Sequence, residues 1–115
     1  MMKMLVCYVQ TYNLDVLAEA LAVEGVRGMT VSEVKGFGTT QGFNRAADML
    51  PGEYRFHPKM KVEMVIPDED MERIVAAITR SLKGSKLGEG KIFVLPVEEA
   101  VRTRTGERGV AAITA

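Results

Sequence analysis

Two stretches of this chain follow one plan, strand then helix then strand, and 115 residues that do so twice have few ways to bury their apolar faces. The second copy is the clearer. In MKVEMVI, Met60, Val62, Met64 and Ile66 alternate with Lys61, Glu63 and Val65, so one face is apolar and the other partly charged. Pro67 and Asp68 open a helix. Glu69 and Asp70 sit in its first turn, where negative charge suits the helix dipole. Met71, Ile74, Val75, Ile78 and Leu82 form an apolar stripe at helical spacing, Arg80 and Lys83 fall in the last turn, and Gly84 stops the element. KIFVLPV then reads as a strand, with Pro96 marking an end, a bend or an edge.

The first copy has the same order. Met4 to Val9 is a continuous apolar run, the pattern of a strand covered on both faces. Asn13 or Asp15 can cap a helix on which Leu14, Leu17, Ala18 and Leu21 share a side, and Gly25 and Gly28 end it. MTVSEVKGFG is rich in β-branched residues and reads as the next strand. The sum, β-α-β followed by β-α-β, predicts a single α+β domain over residues 1–115. Its form is the ferredoxin-like one: an antiparallel sheet with both helices on one face. The other sheet face carries Val, Met and Phe. Burying it against further copies of the chain predicts a homo-oligomer, and a chain of this size buries only about two-thirds of its unfolded surface by itself.

Composition removes several function classes. Lys plus Arg and Asp plus Glu number 15 each, so the basic excess of a nucleic-acid protein is missing. The one cysteine, Cys7, cannot build a disulfide framework and reads as a small buried apolar residue, which suits a reducing compartment. No apolar run approaches a membrane span, and the residues from MMKM onward are too short for a secretion signal. A cytoplasmic protein with no direct membrane insertion is expected.

Chemistry is concentrated in the connections. GTTQGFNRAADMLPGEYRFHPK, residues 38–59, has no sustained period and is far longer than an ordinary connection, which points to a binding loop. His57 stands alone beside Pro58 and makes a poor metal site. KGSKLGEGK, residues 83–91, holds three glycines and three lysines. It is not a Walker A loop: the glycine spacing is one residue too long, Lys91 is followed by Ile92, and a strand follows where that motif needs a helix. Its glycines still let the backbone approach an anion. Arg102 and Arg104 are two apart, so in an extended segment they point the same way, and paired guanidiniums suit phosphate oxygens. An anionic ligand is expected here.

VRGMTVSEVKGFG, PKMKVEMVIPDE, GEGKIFVLPVEEAVRTRTGERG and the final AAI together resemble the PII signalling protein family over nearly the whole chain. The resemblance implies a homotrimer with three clefts between subunits, each taking ATP or ADP. It also implies a T-loop at about 38–59 that reaches a target protein, a B-loop at about 83–91 and a C-terminal loop at about 102–115. By position, Lys91, Arg102 and Arg104 would contact the phosphates, and Gly88, Glu89 and Gly90 would offer loop backbone. Thr30, Glu63 and Val65 would surround the adenosine, while Gly36, Phe37 and Gly38 would shape the base of the T-loop beside the nucleotide. Lys59 matches the family lysine that pairs with 2-oxoglutarate. Thr40 stands where effector-sensing members have a glutamine that helps hold Mg2+, with Gln41 one position late. Thr39 replaces a basic residue common after Gly-Phe-Gly. Gly52 occupies the place of the uridylylated tyrosine, with Tyr54 displaced, and Leu50 that of a phosphorylated serine, so the usual covalent modifications are not expected.

The function this implies is nucleotide-dependent regulation of a target in nitrogen and carbon metabolism. CYVQTYNLDVLAEAL is also similar to divergent members associated with cation or metal transport, which sets beside it a transporter regulator that does not sense 2-oxoglutarate. An enzyme is not expected: cations could stabilise phosphate charge, but Glu63 is the one nearby carboxylate and reads better as a binding residue. Eight methionines invite a metal-binding reading, yet most fall at core positions of strands and helices.

Overall fold

A computed structural model describes residues 1–37, 56–84 and 90–114. Four strands, β1 (Met2–Val9), β2 (Thr30–Gly36), β3 (His57–Pro67) and β4 (Lys91–Val97), form one sheet in the order β2-β3-β1-β4, and every pair is antiparallel. Helix α1 (Leu14–Val23) follows β1, α2 (Met71–Leu82) follows β3, and a short α3 (Val110–Thr114) ends the described chain. This is the ferredoxin-like α+β arrangement.

The register decides which residues meet. Leu5 lies opposite Met64, Cys7 opposite Val62 and Val9 opposite Met60, so the odd residues of β1 share a face with the even residues of β3. That face carries the core, where Leu5, Cys7, Val62, Met64 and Ile66 pack with Leu17 and Leu21 of α1 and Ile74 and Ile78 of α2. The apolar stripes of both helices therefore meet one side of the sheet, as their spacing predicts. Arg73 clasps α2 to the end of α1, bonding Glu24 and Asp70, which hold its guanidinium pKa above the ordinary value.

Several boundaries differ from expectation. Short 3-10 turns, Thr11–Asn13 and Asp68–Asp70, precede α1 and α2, and neither Asn13 nor Asp70 caps through its side chain. β3 begins at His57, so His57, Pro58 and Lys59 are strand rather than loop: they pair with Gly36, Lys35 and Val34. Pro58 is tolerated because β1 pairing stops at Met60, leaving its other side without a ladder bond to satisfy. Lys91 likewise belongs to β4, and residues 110–114 of the expected C-terminal loop are helical. Pro96 marks an edge: β4 pairs with β1 alone among the described strands.

The second sheet face bears Thr30 and Val34 of β2, Lys61, Glu63 and Val65 of β3, Met4, Val6 and Tyr8 of β1, and Lys91, Phe93 and Leu95 of β4. Neither α1 nor α2 covers it; of the described helices only the short α3 approaches, where Ala112 and Ile113 line a cavity with Val65. Phe93 is 50% exposed and Leu95 44%, and Phe93 meets Tyr8 edge-on with ring centroids 6.3 Å apart.

Candidate functional site

Cationic residues gather at two cavities. The larger, of about 510 Å3, lies where the ends of β1 and α2 meet the start of β4. Cys7, Val9, Ile78, Leu82 and Ile92 give it an apolar lining, while Lys59, Lys83 and Lys91 supply positive charge. Gly90 holds the entry to β4 close: a Cβ there would come within 3.1 Å of the Tyr8 carbonyl oxygen. A side chain there would crowd the Tyr8 backbone and require a small local shift at the residue next to Lys91. Lys59 is placed by the β2–β3 ladder, and its Cδ would lie 3.9 Å from a Cβ at Gly36. Beside them Phe37 and Phe56 meet edge-on at 5.5 Å, across the two chain ends that enter segment 38–55.

The smaller cavity, of about 310 Å3, is lined by Arg27, Gly28, Val65, Arg102, Ala112 and Ile113. Thr30, two residues beyond Gly28, faces Glu63 across the β2–β3 ladder, and Val65 is two residues further along the same face. The expected adenosine residues thus come together here with Arg102.

Arg102 and Arg104 do not share a side as their spacing suggested. Residues 103–105 form a turn, closed by the Gly106 amide donating to the Arg102 carbonyl at 2.7 Å, and Gly106 takes φ +80°, which favours glycine. A turn rather than an extended segment removes the two-residue alternation. Arg102 folds inward, pairing with Glu107 at 3.3 Å and donating to the Ala112 carbonyl at 3.1 Å, while Arg104 is exposed. Glu107, the counter-ion, was not legible in the sequence, because only the turn brings it back to Arg102. Arg27 was missed because a lone arginine after a helix carries no motif.

Lys59, Gly90 and Lys91 line the larger cavity, with Gly36 beside Lys59; Val65 and Arg102 line the smaller, with the Thr30–Glu63 pair next along the same sheet face. The two sets are not joined within one chain. From Val65 to Lys91 is four residues along the strands, about 13 Å, and two strands across, about 10 Å. Gly38, Thr40, Gly88 and Glu89 lie outside the described residues, as do Thr39, Gln41, Leu50, Gly52 and Tyr54 at the departures from the family pattern. Among the described residues, no three His, Cys, Asp or Glu side chains come together to hold a metal. No helix among them is long and apolar enough to cross a membrane.

Cys7 lines the larger cavity, but burial pushes its thiol pKa up from 9.0 to about 11. At pH 8 the thiolate is then about a hundredfold scarcer than in the unfolded chain. Alkylation by iodoacetamide should be at least that much slower in the folded protein than in urea. Equal rates would show that the thiol is not buried.

These features define a ferredoxin-like α+β protein with a cation-lined cavity at two separate places on one sheet. The chain belongs to the P-II family: the family model described as Nitrogen regulatory protein P-II matches residues 2–107. It is 44% identical over 115 residues to the Nitrogen regulatory protein P-II of Bradyrhizobium diazoefficiens, covering 97% of this chain and all of the relative. With the Nitrogen regulatory protein P-II 1 of Escherichia coli K12 it shares 42% over 112 residues, with the same coverage. Its fold matches the crystal structure of Arabidopsis thaliana PII bound to citrate at a TM-score of 0.78 and 34% identity, covering 96% of this chain and 91% of that one. The family is regulatory, which agrees with the expectation of a non-enzyme. These nitrogen regulatory relatives do not favour the transporter alternative.

Proposed function

We propose that this protein is a PII-type signal transduction protein that binds ATP or ADP in clefts between the subunits of a homotrimer. Nucleotide shifts the conformation of the T-loop, which lies between β2 and β3, and through it the affinity for a target protein in nitrogen or carbon metabolism. One observation supports the cleft: the residues expected to hold phosphate are divided within one chain, Lys91 and Gly90 lining one cavity and Arg102 lining another together with the adenosine residue Val65. A second copy, packed on the uncovered sheet face, would set the Lys91 side of one subunit against the Arg102 side of its neighbour. The site is then complete only in the assembly.

Each group has a defined task. Val65 and the neighbouring backbone take the base, Arg102 and Arg104 from one subunit and Lys91 with the glycines at Gly88 and Gly90 from the next take the phosphates, and Glu63 acts as a binding residue. Mg2+ would accompany the triphosphate. Lys59 lines the same cavity as Lys91 and would receive a carboxylate effector. The citrate bound to the plant relative supports an organic-acid ligand in this family, and 2-oxoglutarate is the effector to try first. The phenylalanine pair at the mouth of segment 38–55 gives nucleotide a route to the T-loop, since a ligand shifts a loop only by its differential affinity for the loop's states.

Calorimetric titration with ATP and with ADP, each with Mg2+ and with and without 2-oxoglutarate, tests this. Three nucleotides should bind per trimer, and 2-oxoglutarate should bind only in the presence of ATP. Absence of nucleotide binding would overturn the function while leaving the fold. Nucleotide binding with no response to 2-oxoglutarate would remove the second effector alone.

A further inference from the structure

We propose that Arg27 is a ligand-contacting residue of the smaller cavity, reaching the phosphate-bearing part of the nucleotide; the inference rests on the nucleotide reading above. Arg27 stands in the connection between α1 and β2, directly before Gly28, and lines the cavity together with Val65 and Arg102. Two of the six lining residues are arginines and none is acidic.

The two guanidiniums are in different states. Arg102 is 22% exposed, paired with Glu107 at 3.3 Å, and bonded to the carbonyls of Ala112 and Ala111 at 3.1 and 3.5 Å. Its charge is largely answered before any ligand arrives. Arg27 is exposed and has no hydrogen-bond or ion-pair partner among the described residues. The net positive charge that the cavity presents to a ligand therefore comes mainly from Arg27.

The remaining lining is compatible with the ligand class proposed above. Val65, Ala112 and Ile113 form an apolar wall suited to a ring, and a guanidinium offers a planar fork matched to phosphate oxygens. A nucleoside phosphate, the ligand class proposed above, joins a ring to an anion and so fits both features. An exposed arginine with no partner among the described residues gains more from such an anion than Arg102 does, because Arg102 must first release Glu107. Arg27 accordingly sets the preference for the phosphorylated nucleotide over the bare nucleoside.

Calorimetry on the unaltered protein, Arg27→Ala and Arg27→Lys, with ATP and with adenosine, tests this, with molar mass checked for each variant. Arg27→Ala should weaken ATP by about 10- to 100-fold and leave adenosine unchanged. Arg27→Lys should retain most of the affinity. The dependence of ATP affinity on salt should also become shallower in Arg27→Ala, since one charge contact is gone. Unchanged ATP affinity in Arg27→Ala would overturn the assignment. So would equal weakening of ATP and adenosine, which marks a structural role. If the unaltered protein takes no ATP, the nucleotide reading itself fails and the assignment of Arg27 falls with it.

Discussion

Replacing Phe93 and Leu95 together by Asp is expected to leave a folded chain of 12.6 kDa in solution, where the proposed trimer of the unaltered protein would weigh three times as much. Both residues lie on the sheet face opposite the helices and are half exposed in the single chain. Neither belongs to the core formed by Leu5, Leu17, Leu21, Val62 and Ile74, so the fold itself should survive. In the assembly each side chain gains about 1.5–3 kcal/mol from burial. An Asp in the same place loses that gain and must also shed water from an unpaired charge, at several kcal/mol. In the proposed trimer every subunit interface would carry the change, so the effect would repeat around the ring. Light scattering gives the mass and circular dichroism the fold. A folded trimer in the double variant would show that the sheet face is not the interface.

Lys91→Ala is expected to weaken ATP at least about a hundredfold without changing the fold or the mass. Lys91 is the first residue of β4, paired with Tyr8, and Gly90 lets this end of the strand approach β1 closely. Its position is thus fixed by backbone, while its ammonium group is on the exposed side. Lys61 provides the control. It sits on the same face, opposite the same Tyr8 from the other side, but does not line the cavity. Lys61→Ala removes the same charge from the same row and should change affinity by only the small amount that screened surface charge allows. Calorimetry on both variants decides the matter. Equal losses would mean that the binding is diffuse electrostatics rather than a site.

Much of the fold was legible because polar and apolar residues alternate where one strand face meets the core. Met60 to Ile66 shows this, and the structure places Val62, Met64 and Ile66 in the core and Lys61, Glu63 and Val65 on the other face. The helix stripes were legible for the same reason. KIFVLPV did not disclose which of its residues face which way, because an edge strand apolar on both sides has no alternation to read. His57 to Lys59 did not read as strand, since Pro58 is a breaker except where one side of the backbone needs no partner, and that depends on where β1 stops. The candidate site was legible as a set of residues by family resemblance. Its division between two cavities was not, because the division follows from strand order and register. The arginine turn was misread: two-residue spacing implies a shared side only in extended chain, and Gly106 bends it.

In the shared cleft proposed above, neither half of the site works without a neighbour. Lys91→Ala and Arg102→Ala chains, each expected to lose nucleotide binding, can be unfolded together, mixed in equal amounts and refolded, and the mixture titrated with ATP. With random assembly into trimers, about one cleft in four receives an intact Lys91 from one chain and an intact Arg102 from its neighbour. That fraction of full-strength sites should return in the mixture and be absent when either variant is refolded alone. A mixture that stays as inactive as its parents would contradict the shared cleft, because a site built within one chain has a defect in every copy.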